Sequence, residues 1–164
     1  MDWPRHYEES AVISATPKEV FNYIDNHTRF SSHMNKGSLM MGGGKMETRV
    51  DEEKGQKVGS HIKMSGKIIG IDLFLDEVVT KREPPNLKVW ETVGIPKLLV
   101  IGNYQMGVEI NSQNKDSNLK VFIDYELPKG KNSLLGYLFG DMYAKWCVRQ
   151  MLSGTREEFN TKKN

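Results

Sequence analysis

The sequence predicts an α+β fold in which an antiparallel sheet packs against a long C-terminal α-helix, and two short helices follow the first strand. Three observations lead to this expectation. A helix-start signal follows a short first strand, polar and apolar residues then alternate over about ninety residues, and a long apolar stripe at helical spacing occupies the C-terminal part. Alternation with a period of two indicates strands with one buried face, whereas spacing at i, i+4 and i+7 indicates a helix.

The first strand is predicted over residues 6–14, and a helix start follows it. Thr16 is a suitable N-cap, Pro17 favours the first helical position, and Glu19 completes a capping box. The helix is short because residues 25–28 interrupt its pattern. A second short helical turn is expected over residues 29–34, just after this interruption.

Six more strands are predicted from the alternation that follows. In residues 45–50, for example, charged side chains alternate with Met46, Thr48 and Val50, which gives one wet face and one buried face. Turn signals rich in Gly, Pro and Asn separate the strands, so neighbouring strands are antiparallel. The predicted strands cover residues 45–50, 58–68, 73–82, 87–93, 104–110 and 119–127.

A helix of more than twenty residues is predicted from Ser133 to about Asn160. Its apolar stripe needs a broad apolar partner, and the sheet is the available one. Gly136 and Gly140 lie four residues apart near its start, and we interpret them as packing positions where another backbone comes close. The stripe consists of Leu135, Phe139, Met142 and Trp146, and then of Val148, Leu152, Thr155 and Phe159 as the face drifts.

The length and composition are those of one globular domain spanning residues 1–164, with the last few residues as a tail. Twenty-three Lys and Arg residues are mixed with twenty-one Asp and Glu residues along the chain. No basic cluster of the kind that binds nucleic acid is therefore evident. Because neither a signal peptide nor a membrane-spanning stretch can be recognised, we expect a cytoplasmic protein without stable membrane insertion. Its protein partners stay open.

The single cysteine, Cys147, cannot form an internal disulfide. It lies in the predicted last helix among large residues, and no nearby histidine is evident to activate it, so a buried reduced thiol is favoured over a nucleophile. None of the four histidines pairs with Cys147 or with another histidine at ligand spacing. The sequence therefore predicts neither a metal site nor a cofactor.

Three consecutive glycines run into a lysine at residues 42–45 (GGGK), as in a phosphate-binding loop. A phosphate loop of this kind needs Ser or Thr after the lysine and a helix after the loop. Here Met46 follows Lys45, and an alternating strand comes next. We therefore interpret the glycines as a sharp bend or bulge in a strand whose first half is residues 39–41.

The chain resembles the START/polyketide cyclase-like group, also called the SRPBCC superfamily, which includes the birch-pollen-allergen-like proteins. Residues 13–21 (ISATPKEVF) look like the start of the first helix in that family. Residues 77–85 (EVVTKREPP) and 87–91 (LKVWE) look like its strand, double-proline turn and next strand. The resemblance extends over essentially the full length and is specific for the fold.

The resemblance implies the helix-grip fold, in which a curved antiparallel β-sheet of about seven strands wraps around the long C-terminal α-helix. It specifies function poorly, because the superfamily includes lipid carriers, plant hormone receptors, aromatic cyclases, oxygenase domains and chaperone activators. Function must therefore be argued from a site.

In such a fold the sheet often leaves a cavity beside the helix, and the inward-facing residues become candidates for ligand binding. Several candidates are methionines, whose flexible side chains adapt to irregular apolar ligands. A filled core would show the same pattern, so cavity and solid core both stay open. The candidates are Met46, Met64, Leu73, Leu75, Glu77, Trp90, Tyr104, Met106, Ile123, Tyr125, Leu138, Met142 and Trp146.

Glu77 shares the inward parity of Leu73 and Leu75, so burial would raise its pKa unless it is paired. Such an acid can act as a general acid, anchor a ligand hydroxyl, or serve as a structural partner for Arg49 or Tyr104. No residue is assigned as catalytic, and Glu77 is a weak candidate only.

The leading hypothesis is binding or transport of a small hydrophobic molecule, such as a lipid, an isoprenoid or an aromatic, polyketide-like metabolite. The first alternative is an enzyme of the polyketide cyclase or dehydratase type without metal, with Glu77 and Tyr104 or Tyr125 handling protons. No catalytic residue of those cyclases matches a motif here, which argues against this alternative. The second is an interaction module resembling the chaperone activators.

Overall fold

The computed structural model of the chain describes residues 2–32 and 45–162. The predictions for residues 33–34, for the strand half at 39–41 and for the GGG bend at 42–44 lie outside the described residues. Within the described ranges, three α-helices and seven strands occur in the predicted order. They are β1 (Arg5–Ile13), α1 (Pro17–Asp25), α2 (His27–Ser31), β2 (Lys45–Val50), β3 (His61–Ile68), β4 (Ile71–Glu83), β5 (Leu87–Lys97), β6 (Tyr104–Gln113), β7 (Asp116–Tyr125) and α3 (Ser133–Thr161).

The seven strands form one curved antiparallel sheet in the order β1-β7-β6-β5-β4-β3-β2, as predicted. Strands β2 to β7 are consecutive neighbours, and β1 pairs with β7 from Arg5↔Tyr125 to Ile13↔Ser117. The register between β4 and β5 shifts at two places, after Phe74 and after Val79. Such bulges bend a sheet and increase its twist, which helps this one to curve around α3.

The predicted capping box at the start of α1 is present. The Thr16 amide donates to Glu19 Oε2 over 2.9 Å, and the Glu19 amide donates to Thr16 Oγ1 over 3.4 Å. The second short helix begins earlier than predicted, at His27. Asn26 is its N-cap, because its Oδ1 accepts from the Arg29 amide over 3.1 Å. The interruption at residues 25–28 is therefore the junction between two helices, and it places His27 on a helix.

Strand β5 runs to Lys97, past the predicted end at residue 93 and through Pro96. Its pairing with β6 ends at Glu91↔Gln105, so the last part of β5 has a strand neighbour on one side only. A proline is tolerated at such a position because no ladder hydrogen bond needs its missing N–H.

The long helix α3 is present as predicted. In its first half, however, the predicted apolar stripe does not face the sheet. The inward positions are taken by Gly136, Gly140 and Ala144, which are buried. A Cβ atom at Gly140 would lie 2.8 Å from the Val100 carbonyl oxygen and 2.6 Å from Leu127 Cδ2. Only small residues fit this close approach, which confirms the packing role predicted for Gly136 and Gly140. Leu135, Phe139 and Met142 of the first stripe are consequently turned outward, whereas Trp146 is half-buried and packs against the core.

This orientation of α3 shows that two predicted ligand-binding positions were wrong. Leu138 is 58% exposed and Met142 is 49% exposed, so neither points into the interior. The second half of the helix follows the prediction: Val148, Leu152 and Thr155 are buried, as is Phe159. None of the helices in the described part of the chain is long and apolar enough to cross a membrane.

Candidate functional site

A cavity of about 140 Å³ lies between two clusters of buried apolar residues. The larger cluster joins β1, α1, α2, β5 to β7 and α3, and the smaller one is built around Met46, Leu73 and Leu75. Among the described residues the two clusters do not close on each other, and a space remains between them. The cavity is lined by His27, Phe30, Ser31, Met46, Met64, Ile68, Leu73, Leu75, Glu77, Trp90, Leu98, Leu99, Val100, Ile101, Tyr104, Met106, Ile123, Tyr143, Cys147 and Met151.

Most of the predicted candidates meet in this cavity because the alternation of each strand turns them to the same face of the sheet. Their contact with a ligand remains a prediction. The predicted candidates that line the cavity are Met46, Met64, Leu73, Leu75, Glu77, Trp90, Tyr104, Met106 and Ile123.

Four predicted candidates do not line the cavity. Leu138 and Met142 are exposed on α3, as described above. Tyr125 is buried, but it is the last residue of β7, and its hydroxyl donates to Asp141 Oδ1 over 2.5 Å. Trp146 packs beside Tyr143, with 5.7 Å between the ring centroids. Parity predicted the burial of Tyr125, but parity does not tell how far along a strand a cavity extends.

Several lining residues were not predicted. His27, Phe30 and Ser31 come from α2, which is too short to show a periodic pattern. Leu98 to Ile101 form an apolar run between two strands, and that run was a visible signal of a buried connection. Tyr143, Cys147 and Met151 lie at i, i+4 and i+8 on α3, so helical spacing from the buried cysteine would have found them.

Glu77 is a buried carboxyl in the wall of the cavity, with 1% of its surface exposed. The Tyr104 hydroxyl donates a hydrogen bond to its Oε1, which confirms Tyr104 as its structural partner. Arg49 instead pairs with Glu47 on the surface, so the alternative partner was wrong. Burial raises the pKa of the Glu77 carboxyl to about 7, and the Tyr104 hydrogen bond and the neighbouring Trp90 indole oppose this rise.

His27 is a second buried titratable group in the cavity wall, with 2% of its surface exposed. Its ring stands perpendicular to the Trp90 indole, with 4.8 Å between the ring centroids. Burial lowers the pKa of His27 well below its ordinary value, and the nearby positive charge of Lys88 adds to this effect. The imidazole is therefore neutral at pH 7.

Glu77 Oε2 and His27 Nε2 are buried polar atoms for which no described residue provides a hydrogen-bond partner. Both residues line the same cavity, and Trp90 lies beside both. Nearly all buried polar groups in proteins have a partner, so each exception calls for an explanation. The cavity thus combines apolar walls with two free hydrogen-bonding atoms.

No protein-family model matches the sequence, and no curated protein matches it in sequence. The fold does match solved structures. An aromatase/cyclase named ZhuI, from a Streptomyces species, has a TM-score of 0.73 at 9% identity, with 98% of this chain and 96% of that chain covered. Major latex-like protein 151 from Panax ginseng has a TM-score of 0.56 at 17% identity, with 94% and 97% covered.

Norcoclaurine synthase from Thalictrum flavum, solved with dopamine and hydroxybenzaldehyde, has a TM-score of 0.65 at 12% identity, with 93% of this chain and 84% of that chain covered. The chain has the helix-grip fold of the SRPBCC superfamily. At these identities the likeness to SRPBCC proteins shows the fold alone, and the function has to be argued from the cavity.

A buried ion pair lies close to one wall of the cavity. Lys88 is fully buried on β5, and its Nζ donates to Asp25 Oδ1 over 2.9 Å. Arg82 Nη2 donates to the other carboxylate oxygen over 2.8 Å. Although burial alone would raise the pKa of Asp25, the hydrogen bonds from Arg82 and Lys88 lower it below its ordinary value. The Lys88 charge is thus held by Asp25, and Lys88 does not line the cavity.

Cys147 lies in the wall of the cavity and is a free, buried cysteine, as expected. Burial raises the pKa of its thiol to about 12, so the thiol stays protonated at neutral pH. The thiolate is the nucleophilic form of cysteine. The geometry therefore favours an apolar lining role for Cys147.

Proposed function

We propose that this protein binds a small hydrophobic molecule in the cavity between the sheet and α3. The observation that carries the proposal is the unfilled space itself, because protein interiors are otherwise packed to crystal density. Its walls are mostly apolar, with a few polar groups, which is typical of ligand pockets. The methionines Met46, Met64, Met106 and Met151 in the wall can adjust their side chains to fit a ligand.

The size of the cavity favours an aromatic ring over an extended lipid. An engineered apolar cavity of about 150 Å³ in another protein stays dry and binds benzene. The cavity described above, at about 140 Å³, has room for a group of that size. A lipid or an isoprenoid would require its walls to move apart. Two of the similar structures also concern ring compounds: one is named an aromatase/cyclase, and the other was solved with dopamine and hydroxybenzaldehyde.

Isothermal titration with single-ring compounds such as p-xylene tests the proposal. In Met64→Phe the larger ring should occupy the cavity and weaken binding at least about tenfold. Met142→Phe is the matched control, because Met142 lies exposed on α3, and it should bind like the wild type. Equal binding by both variants, or no binding of any ring compound by the wild-type protein, would contradict the proposal.

A second candidate function is acid–base catalysis on a bound ring compound. The observation that favours it is Glu77, whose pKa of about 7 suits proton transfer near neutral pH. Tyr104 holds this carboxyl in the cavity wall. Bound ketones should then exchange their α-protons with deuterated solvent, and Glu77→Gln should abolish the exchange while ligand binding persists. Exchange at the same rate in the variant would remove Glu77 from such a mechanism.

A further inference from the structure

We propose that the ligand carries an uncharged hydroxyl group, as a phenol or an alcohol does, and that this hydroxyl hydrogen-bonds to Glu77 Oε2 and His27 Nε2. The inference rests on the proposed function and specifies the chemical class of the ligand. Its basis is the pair of buried polar atoms without a partner in the wall of one otherwise apolar cavity.

The two residues that carry the free atoms lie beside the same side chain, Trp90. His27 lies on α2 and Glu77 on β4, and the Trp90 indole of β5 lies beside both. The indole lowers the pKa of the Glu77 carboxyl, but its N–H does not make a hydrogen bond of normal geometry to Oε2, which therefore stays open to a ligand. The His27 ring is perpendicular to the indole at a centroid distance of 4.8 Å. Because one aromatic side chain lies beside both groups, a polar atom of a ligand that packs against Trp90 can approach both.

Leaving both atoms unpartnered would cost free energy, because a buried donor or acceptor has lost its water without replacement. A ligand that brings a hydrogen-bonding group removes this cost. The same site penalises a purely apolar ligand, which would fill the space and leave the two atoms unpaired.

A hydroxyl group matches the two atoms better than other polar groups do. Glu77 Oε1 already accepts from Tyr104, so Oε2 is the free oxygen, and the neutral His27 has one nitrogen to offer. Depending on where the protons lie, each free atom is a donor or an acceptor. A hydroxyl can donate one hydrogen bond and accept another, so it complements either arrangement.

Charged ligands fit less well. A carboxylate would lie beside the Glu77 carboxyl, and no lysine or arginine of the described residues lines the cavity to pair with it. The buried Lys88 is held by Asp25, with 2.9 Å between Nζ and Oδ1. An ammonium group brings three donors, whereas the described part of the wall offers two free atoms. Burial of either charge without full pairing is unfavourable.

Four toluene derivatives that differ at one position test the inference: p-xylene, p-cresol, p-toluate and 4-methylbenzylamine. Their dissociation constants are measured by titration calorimetry for the wild-type protein and for Glu77→Met and His27→Leu, which remove the polar atoms at similar volume. Ser117→Ala is the control, because Ser117 carries a buried hydroxyl that donates to the Ala15 carbonyl oxygen over 2.7 Å and lies outside the cavity wall. The informative quantity is the preference for p-cresol over p-xylene, since the hydration of the two compounds cancels between variants.

We expect each cavity variant to lose about tenfold or more of this preference while p-xylene still binds, which is the effect expected of one hydrogen bond. The control should keep the wild-type preference. If p-xylene binds and the preference is unchanged in both cavity variants, the hydroxyl inference is overturned and the proposed function stands. Tighter binding of p-toluate or 4-methylbenzylamine than of p-cresol also overturns it. If neither p-xylene nor p-cresol binds the wild-type protein, the proposed function fails and the inference fails with it.

A crystal structure of the wild-type protein with p-cresol decides the question if a variant does not fold. The phenol oxygen should lie within about 3.5 Å of both Glu77 Oε2 and His27 Nε2. A phenol oxygen bound elsewhere in the cavity overturns the inference.

Discussion

The Tyr104 hydroxyl donates a hydrogen bond to Oε1 of Glu77 inside a cavity whose walls are largely apolar. Tyr104 lies on β6 and Glu77 on β4, so the bond spans the intervening strand β5. It satisfies one carboxyl oxygen and leaves the other without a partner among the described residues. Glu77 is therefore held in a fixed position while half of its hydrogen-bonding capacity stays free.

The protonation of Glu77 should make stability depend on pH. Burial raises the pKa of Glu77 from 4.5 to about 7, so the folded protein favours the protonated carboxyl. The stability that this protonation contributes is fully present below about pH 4.5 and is lost as the pH rises to about 7. The loss amounts to about 3 kcal/mol in the free energy of unfolding. Glu77→Gln cannot ionise, so urea denaturation should show it gaining stability relative to the wild type by up to this amount between pH 5 and pH 8.

Glu52→Gln is the control for this comparison, because Glu52 is exposed in the turn after β2. Its stability relative to the wild type should not change over the same pH range. If the difference between Glu77→Gln and wild type is also constant with pH, then Glu77 does not titrate in this range in the folded protein.

Removal of the Tyr104 hydroxyl should raise the pKa of Glu77 further. The hydrogen bond from Tyr104 lowers this pKa against the larger effect of burial, and Tyr104→Phe keeps the burial while removing the donor. NMR titration of the labelled Glu77 carboxyl carbon should therefore give a midpoint above that of the wild type. A midpoint that is lower or unchanged would show that the hydroxyl does not stabilise the ionised form.

The buried ion pair between Asp25 and Lys88 should be sensitive to loss of the acid. Asp25→Ala leaves the fully buried Lys88 ammonium without its partner and should destabilise the fold by about 3–5 kcal/mol. Lys88→Met should cost much less, because Asp25 keeps its pairing with Arg82. In urea denaturation, Asp25→Ala should also cost much less in the Lys88→Met background. Equal costs in both backgrounds would show that the pairing does not couple the two residues.

The two polar residues of the cavity differ in how far the sequence predicts them. Glu77 was predicted to face inward because it continues the alternation of Leu73 and Leu75 in a long strand. His27 was not predicted, because it lies on a helix of five residues that was interpreted as an interruption. Periodicity is informative over many residues, whereas a one-turn helix depends on a local cap, and Asn26 was not recognised as that cap.

The orientation of α3 shows a different limit of sequence analysis. The apolar stripe through Leu135, Phe139 and Met142 has helical spacing, but hydrophobicity alone does not tell which face comes closest to the sheet. Gly136 and Gly140 determine it, because backbone contact with Val100 requires small residues there. The glycine pair and the apolar stripe are both visible in the sequence. The close approach of the α3 backbone to Val100, which needs glycine, determines the orientation of the helix more strongly than burial of the apolar stripe does.

Gly140→Ala tests this steric account. Alanine normally stabilises a helix by about 1 kcal/mol relative to glycine. At position 140, however, the new Cβ would lie 2.8 Å from the Val100 carbonyl oxygen, a backbone atom that cannot turn away. We therefore expect a net destabilisation of about 1–3 kcal/mol in urea denaturation.

Ser153→Ala is the control for helix propensity, because Ser153 is exposed on the same helix, and it should be neutral or slightly stabilising. Gly140→Ala should also displace α3 from the segment 98–101, which lines the cavity, and so alter the affinity for p-xylene. Gly140→Ala could instead be as stable as Ser153→Ala and bind like the wild type. In that case α3 does not approach Val100 as closely as the 2.8 Å distance indicates, and the glycine pair does not explain why the apolar stripe is exposed.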